Sequence, residues 1–145
     1  MAKTIWFILP LLLLTLVAAL AGPRNEQRSE RVLFSDAESS GGVRATQVKS
    51  SIRGYQTMEY LIEAKTGQSL DLNLHSNNRA SGFRVTAPAA PRPMHSARGQ
   101  SARFKGTLPR DGTYRVEIFL KDTAAENGER AAFSLNIRLS NPGGP

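Results

Sequence analysis

Residues 69–76 read SLDLNLHS, and this octapeptide decides the fold. Leu70, Leu72 and Leu74 alternate with Asp71, Asn73 and His75. A period of two places the leucines on one face of an extended chain and the polar residues on the other, a half-buried β-strand. A helix would need its apolar residues three and four positions apart.

The same alternation recurs downstream. Tyr114, Val116 and Ile118 alternate with Arg115 and Glu117, and Phe133, Leu135, Ile137 and Leu139 with Ser134, Asn136 and Arg138. Shorter strand-like runs fall at 32–34, 43–49, 83–86 and 103–108. Residues 58–64, MEYLIEA, fit either period, but they are few and close on the turn Lys65-Thr-Gly-Gln68. In Pro109-Arg-Asp-Gly112, Pro fixes φ at the first corner, Asp can bond its own backbone and Gly accepts a positive φ. Residues 87–101, APAAPRPMHSARGQS, have no period and read as a long loop, and KDTAAENGER (121–130) is a polar loop carrying an Asn-Gly turn signal. No amphipathic helix of ordinary length and no internal repeat is visible. Short strands punctuated by turns predict an all-β fold, an antiparallel β-sandwich of about seven to eight strands.

The N-terminus has a different character. Lys3 is the only charge before Arg24, Ile5 to Leu20 is apolar apart from Pro10 and Thr15, and Ala19-Leu20-Ala21 supplies a small-x-small site. These are the parts of a signal peptide over residues 1–21, and the interrupted run is short for a membrane anchor. The expected mature chain is periplasmic or secreted, with no transmembrane anchor. Residues 22–42 read as a flexible arm with one short strand at Val32-Leu33-Phe34, residues 43–140 as the sandwich, and residues 141–145 as a disordered tail. The formal charge of +7 falls to +6 on losing Lys3. With no Cys there is neither a disulfide nor a thiolate metal site, so packing alone must hold a domain of this size.

The residues argue against catalysis. The two histidines, His75 and His95, lack the company a zinc site needs. There is no G-x-S-x-G nucleophile elbow and no Gly-rich phosphate loop between a strand and a helix. Carboxylate pairs drawn from Asp71, Asp111, Glu117 and Glu126 look like solvated face and turn residues. No catalytic residue, metal or cofactor is expected. The basic excess says more: Arg92, Arg98, Arg103 and Arg110 are candidate ligands for an anionic envelope polymer, whether glycan, peptidoglycan or lipid head group. Nucleic acid is disfavoured because aromatic residues are not interleaved with the basic ones.

Two stretches read together carry a family resemblance. IRGYQTMEYLIEAKTGQSLDLNL (52–74) has the form I-x-G-Y with a later Gly-Gln before an alternating strand. LPRDGTYRVEIFLKDTAAENGERAAFSLNIRL (108–139) has the form L-P-x-x-G-x-Y, a strand, a polar loop and aromatic-x-Leu-x-Ile. The chain resembles the periplasmic inhibitors of g-type lysozyme and, more distantly, the pre-peptidase C-terminal β-sandwich domains of secreted proteases. The resemblance implies a non-enzymatic protein that covers the cleft of g-type lysozyme, or of another cell-wall hydrolase, with loops at one end of the sandwich. It implies partner contacts at Tyr55 and in the 121–130 loop. The family's two loop arginines align with Asp122 and Glu126, a reversal of charge at both positions, which leaves Lys121 and Arg130 as the cations of that loop.

Overall fold

A computed structural model of the chain describes residues 26–35 and 41–143. The leader expected over residues 1–21 lies outside them. In chain order the elements are β1 (Gln27–Arg31), β2 (Val43–Arg53), β3 (Thr57–Ala64), β4 (Ser69–Ser76), β5 (Ser81–Thr86), β6 (His95–Arg98), β7 (Ser101–Thr107), β8 (Gly112–Leu120), α1 (Asp122–Glu126) and β9 (Arg130–Ser140). They build a five-stranded sheet in the order β1-β3-β8-β5-β6 and a four-stranded sheet in the order β2-β9-β4-β7, the two layers of a β-sandwich.

The leucines of β4 point where their period requires. Leu70, Leu72 and Leu74 are fully buried, and they lie opposite Leu139, Ile137 and Leu135 on β9. Met58, Tyr60 and Ile62 of β3, Phe83 and Val85 of β5, and Tyr114, Val116 and Ile118 of β8 supply the facing layer. MEYLIEA is therefore strand, with Met58, Tyr60, Ile62 and Ala64 inward and Glu59, Leu61 and Glu63 outward.

Three local expectations need correction. The strand of the N-terminal arm is Gln27–Arg31, not Val32–Phe34. It joins β3 in parallel, with Gln27 opposite Thr57, while every other pairing is antiparallel. Its five side chains are all exposed, and Val32 is the first to bury. Second, the expected loop 87–101 contains β6, which pairs with β5 and turns His95 inward between Phe83 and Phe104, at centroid distances of 6.1 and 4.8 Å. The sandwich thus has nine strands among the described residues. Third, Asn141 is not frayed: its amide donates to the Gly42 carbonyl at 2.9 Å, and its side chain accepts from Gln68 Nε2 at 2.9 Å.

The Gly67-Gln68 and LPRDGTY turns, one from each stretch that carries the resemblance, lie together at one end of the sandwich. Gly67 takes a φ of 85°, which lets Gln68 turn inward. The buried Gln68 accepts from the Lys65 amide at 2.7 Å through Oε1, and its own carbonyl accepts from Leu108 at 2.8 Å. In LPRDGTY the Tyr114 hydroxyl accepts from the Arg110 amide at 3.0 Å and donates to the Arg110 carbonyl at 2.8 Å, a tyrosine corner. Asp111 accepts from the Thr66 amide at 2.7 Å, so its carboxylate ties this turn to the β3–β4 turn rather than to its own backbone.

Candidate functional site

The opposite end carries the β2–β3, β4–β5, β6–β7 and β8–β9 connections. Here the polar loop KDTAAENGER is folded. It forms the five-residue helix α1, with Ala124 and Ala125 buried beneath it. Its Asn-Gly is the helix terminus rather than a hairpin turn. Gly128, at φ 64°, donates to the Ala125 carbonyl at 3.1 Å, and Glu129 donates to that of Ala124 at 3.0 Å. That is the paired bonding of a Schellman motif, which only a residue tolerant of positive φ completes cheaply. Asp122 is also left-handed, at φ 34°, a conformation Asp adopts more readily than most side chains.

Neighbouring turns fix the loop. The Lys121 amide donates to the Ala80 carbonyl at 2.9 Å, and Asn78 Nδ2 donates to Glu129 Oε1 at 3.1 Å and to the Arg130 carbonyl at 3.2 Å. On the other flank the Gly54 amide donates to the Glu129 carbonyl at 2.9 Å. A Cβ at Gly54 would stand 3.4 Å from the Ala125 carbonyl oxygen, so hairpin and helix meet backbone to backbone. Gln56 closes the hairpin by accepting from the Arg53 amide at 3.1 Å, and its amide nitrogen reaches Glu26 Oε2 at 3.3 Å. Tyr55 is left projecting at the apex, 39 % exposed.

Tyr55, Lys121, Asp122 and Glu126 together line one cleft of about 680 Å³ at this end. The cleft continues onto the outer face of the five-stranded sheet, where Arg84 lies over the Phe119 ring at 4.5 Å and is ion-paired with Glu117. Arg84, Glu117 and Phe119 escaped the sequence reading because only strand register joins them: Arg84 stands opposite Glu117, and Gly82 opposite Phe119. Both signs of charge are present. Lys121 and Asp122 stand 3.6 Å apart, whereas Arg98 and Glu126 have no ion-pair partner within 4.0 Å among the described residues. Such a lining suits a partner that offers a few polar groups around an aromatic contact. It lacks the buried, mutually aligned groups of a nucleophile and its base.

Apart from Arg98, the remaining sequence candidates do not join this cleft. Arg130 opens β9 on the outer face of the four-stranded sheet, with Nη2 3.4 Å from Ser51 Oγ. Of the four arginines considered for anions, only Arg98 lines the cleft. Arg103 lies on the outer face of the four-stranded sheet, 3.9 Å from Asp71, and Arg110 donates to the Pro88 carbonyl at 3.0 Å at the far end. Arg92 is in the β5–β6 connection at that far end too. The two histidines are also apart, His75 exposed on β4 and His95 inside β6.

No family model matches the sequence, and no curated protein matches it. Solved structures do. Aeromonas hydrophila PliG, a periplasmic inhibitor of g-type lysozyme, superposes with a TM-score of 0.70 at 25 % identity, over 79 % of this chain and 98 % of that one. Salmonella Typhimurium PliG superposes at 0.58 and 18 % identity, covering 78 % of this chain and 98 % of its own. The pre-peptidase C-terminal domain of a Bacillus anthracis collagenase superposes at 0.55 and 14 %, over 77 % and 94 %. These neighbours include inhibitors that their names place in the periplasm, and no helix among the described residues is long and apolar enough to cross a membrane. The chain is a β-sandwich similar to the PliG inhibitors of g-type lysozyme and to pre-peptidase C-terminal domains.

Proposed function

We propose that the protein is an exported, non-enzymatic binding protein that blocks the cleft of a cell-wall hydrolase, with g-type lysozyme as the first partner to try. The observation that carries this reading is convergence: Tyr55 and three residues of the 121–130 loop, distant in sequence, line one cleft at one end of a PliG-like sandwich. The buried Ala124 and Ala125 and the Gly54–Ala125 contact hold those side chains in place before a partner arrives. Preorganisation of this kind lowers the ordering cost of binding. Inhibition would be stoichiometric, with an aromatic anchor desolvated at the centre and charged groups at the rim.

The reversed charges at Asp122 and Glu126 alter how a partner is met. Those carboxylates repel an acidic cleft and accept from a basic one, so Tyr55, Lys121 and Arg98 are left to supply the contacts to acidic groups. The test is a titration of cell-wall lysis by g-type lysozyme with the purified protein, with c-type lysozyme as control. Saturable inhibition of the g-type enzyme alone, reduced at least about tenfold by Tyr55→Ala, is the expected outcome. Lysis unchanged at large molar excess would overturn the reading.

A further inference from the structure

The outer face of the four-stranded sheet is more strongly charged than the cleft. Alternation along β2, β7 and β9 brings Lys49, Arg53, Arg103, Lys105, Arg130 and Arg138 to this one face, all exposed. Among the described residues its one acid is Asp71, and only Arg103 comes within 4.0 Å of it. The outer face of the other sheet is balanced by contrast, with Glu59, Glu63 and Glu117 set among Arg31, Arg84, Arg98 and Arg115.

The centre of the basic face is a row of amides. Gln47, Asn136 and Asn73 stand side by side on β2, β9 and β4. Gln47 Nε2 donates to Asn136 Oδ1 at 2.7 Å, and Asn73 Nδ2 donates to Asp71 Oδ1 at 3.2 Å. Among the described residues Gln47 Oε1 and Asn136 Nδ2 engage no further side chain. Two shallow grooves of about 500 and 470 Å³ run along the face and share Asp71 and Arg138 as a common wall.

We propose that this face binds a linear acidic polysaccharide, a chain carrying repeated carboxylates such as a polyuronate, at a site separate from the cleft. The cations would take the carboxylates, and the amide row would take hydroxyls, which donate and accept as the amides do. In register, Lys105 and Arg138 flank Asp71 across three strands, which sets their Cα atoms roughly 9–10 Å apart at the usual strand spacing, within which their long side chains can adjust. That is close to the length of a disaccharide in an extended chain, so alternate sugars could each meet a cation. A lipid surface fits less well, because none of the exposed large apolar residues, Leu33, Tyr55 and Met94, lies on this face. Single-stranded nucleic acid fits less well because, among the described residues, the lone imidazole of His75 is the one aromatic ring on the face, too little for a row of stacked bases.

The test is binding of the protein, expressed from residue 1 and purified as processed, to polygalacturonate at low and at raised salt. Neutral dextran, phosphatidylglycerol vesicles and single-stranded DNA are the comparison probes. The proposal expects polygalacturonate to bind most tightly, dextran not at all, and raised salt to weaken the complex, since exposed ion pairs are screened. Combining Lys105→Gln with Arg138→Gln should weaken binding about tenfold at low salt, with the fold checked by an unchanged melting curve. Combining Arg92→Gln with Arg110→Gln at the far end should change it by less than about twofold. Lys49→Gln is an independent change on the same face and should also weaken it. No binding of polygalacturonate, equal binding of dextran, tighter binding of vesicles or DNA, or indifference to the face substitutions would each overturn the proposal.

Discussion

Tyr60 and Tyr114 are the two largest fully buried side chains of the sandwich, and their hydroxyls have opposite fates. Tyr114 closes the tyrosine corner with two hydrogen bonds to Arg110, whereas the buried Tyr60 hydroxyl finds no partner among the described residues. Burial, reinforced by the nearby Glu30 carboxylate, pushes the Tyr60 ionisation up from 10.0 to about 12. Tyr114→Phe should therefore destabilise the fold by about 1–2 kcal/mol, while Tyr60→Phe should be neutral or stabilising, since an orphaned polar group is lost. The raised Tyr60 value also fixes a sign in alkali. The folded state keeps a proton that the unfolded chain releases near pH 10, so stability is full below that pH and falls as pH rises toward 12. Denaturant midpoints between pH 8 and 12 check both points: Tyr60→Phe should flatten the alkaline fall that the wild type shows. The sequence makes Tyr114 legible through the LPRDGTY turn that it closes. It gives no sign that Tyr60 lacks a partner, because that depends on which side chains face it across the core.

The strands that could be read from sequence are those whose two faces differ in polarity. Leu70-Asp-Leu-Asn-Leu74 and Phe133-Ser-Leu-Asn-Ile-Arg-Leu139 reveal both their period and their buried side. β1 escaped because it buries nothing. It is held by its main-chain pairing with β3 and by Gln27 and Arg31 donating to Glu59 and Glu63, each at 2.9 Å. β6 escaped because its inward residues, His95 and Ala97, sit in a Pro- and Arg-rich run with no apolar signature. Half of the candidate site shares this difficulty. Tyr55 and the 121–126 segment were marked by motif, but Arg84, Glu117 and Phe119 join them only through β5–β8 register. The pairing of β5 with β6 suggests a direct probe. A Cβ added at Gly82 would fall 2.6 Å from the Ala97 carbonyl oxygen, closer than backbone tolerates. Gly82→Ala should cost about 1–3 kcal/mol through overpacking. Amide exchange should then quicken first at His95–Arg98, the strand that brings Ser96 and Arg98 to the cleft, with β4 and β9 little affected.

At the scale of the whole molecule the sandwich divides its tasks by position. The Gly67-Gln68 turn and the Tyr114 corner secure one end, and the cleft with Tyr55 occupies the other. One sheet face is balanced in charge and the other is strongly basic. A formal charge of +7, or +6 without the expected leader, gives no long-range attraction toward a basic enzyme, so the proposed binding at the cleft would rest on short-range contacts and respond weakly to salt. The most direct test of that account is calorimetric titration of g-type lysozyme into the wild type, Tyr55→Ala and Lys121→Ala. A one-to-one complex at the cleft, weakened at least about tenfold by Tyr55→Ala and by a smaller factor by Lys121→Ala, is the predicted result. An absence of binding by the wild type, or an affinity that Tyr55→Ala leaves unchanged, would contradict it.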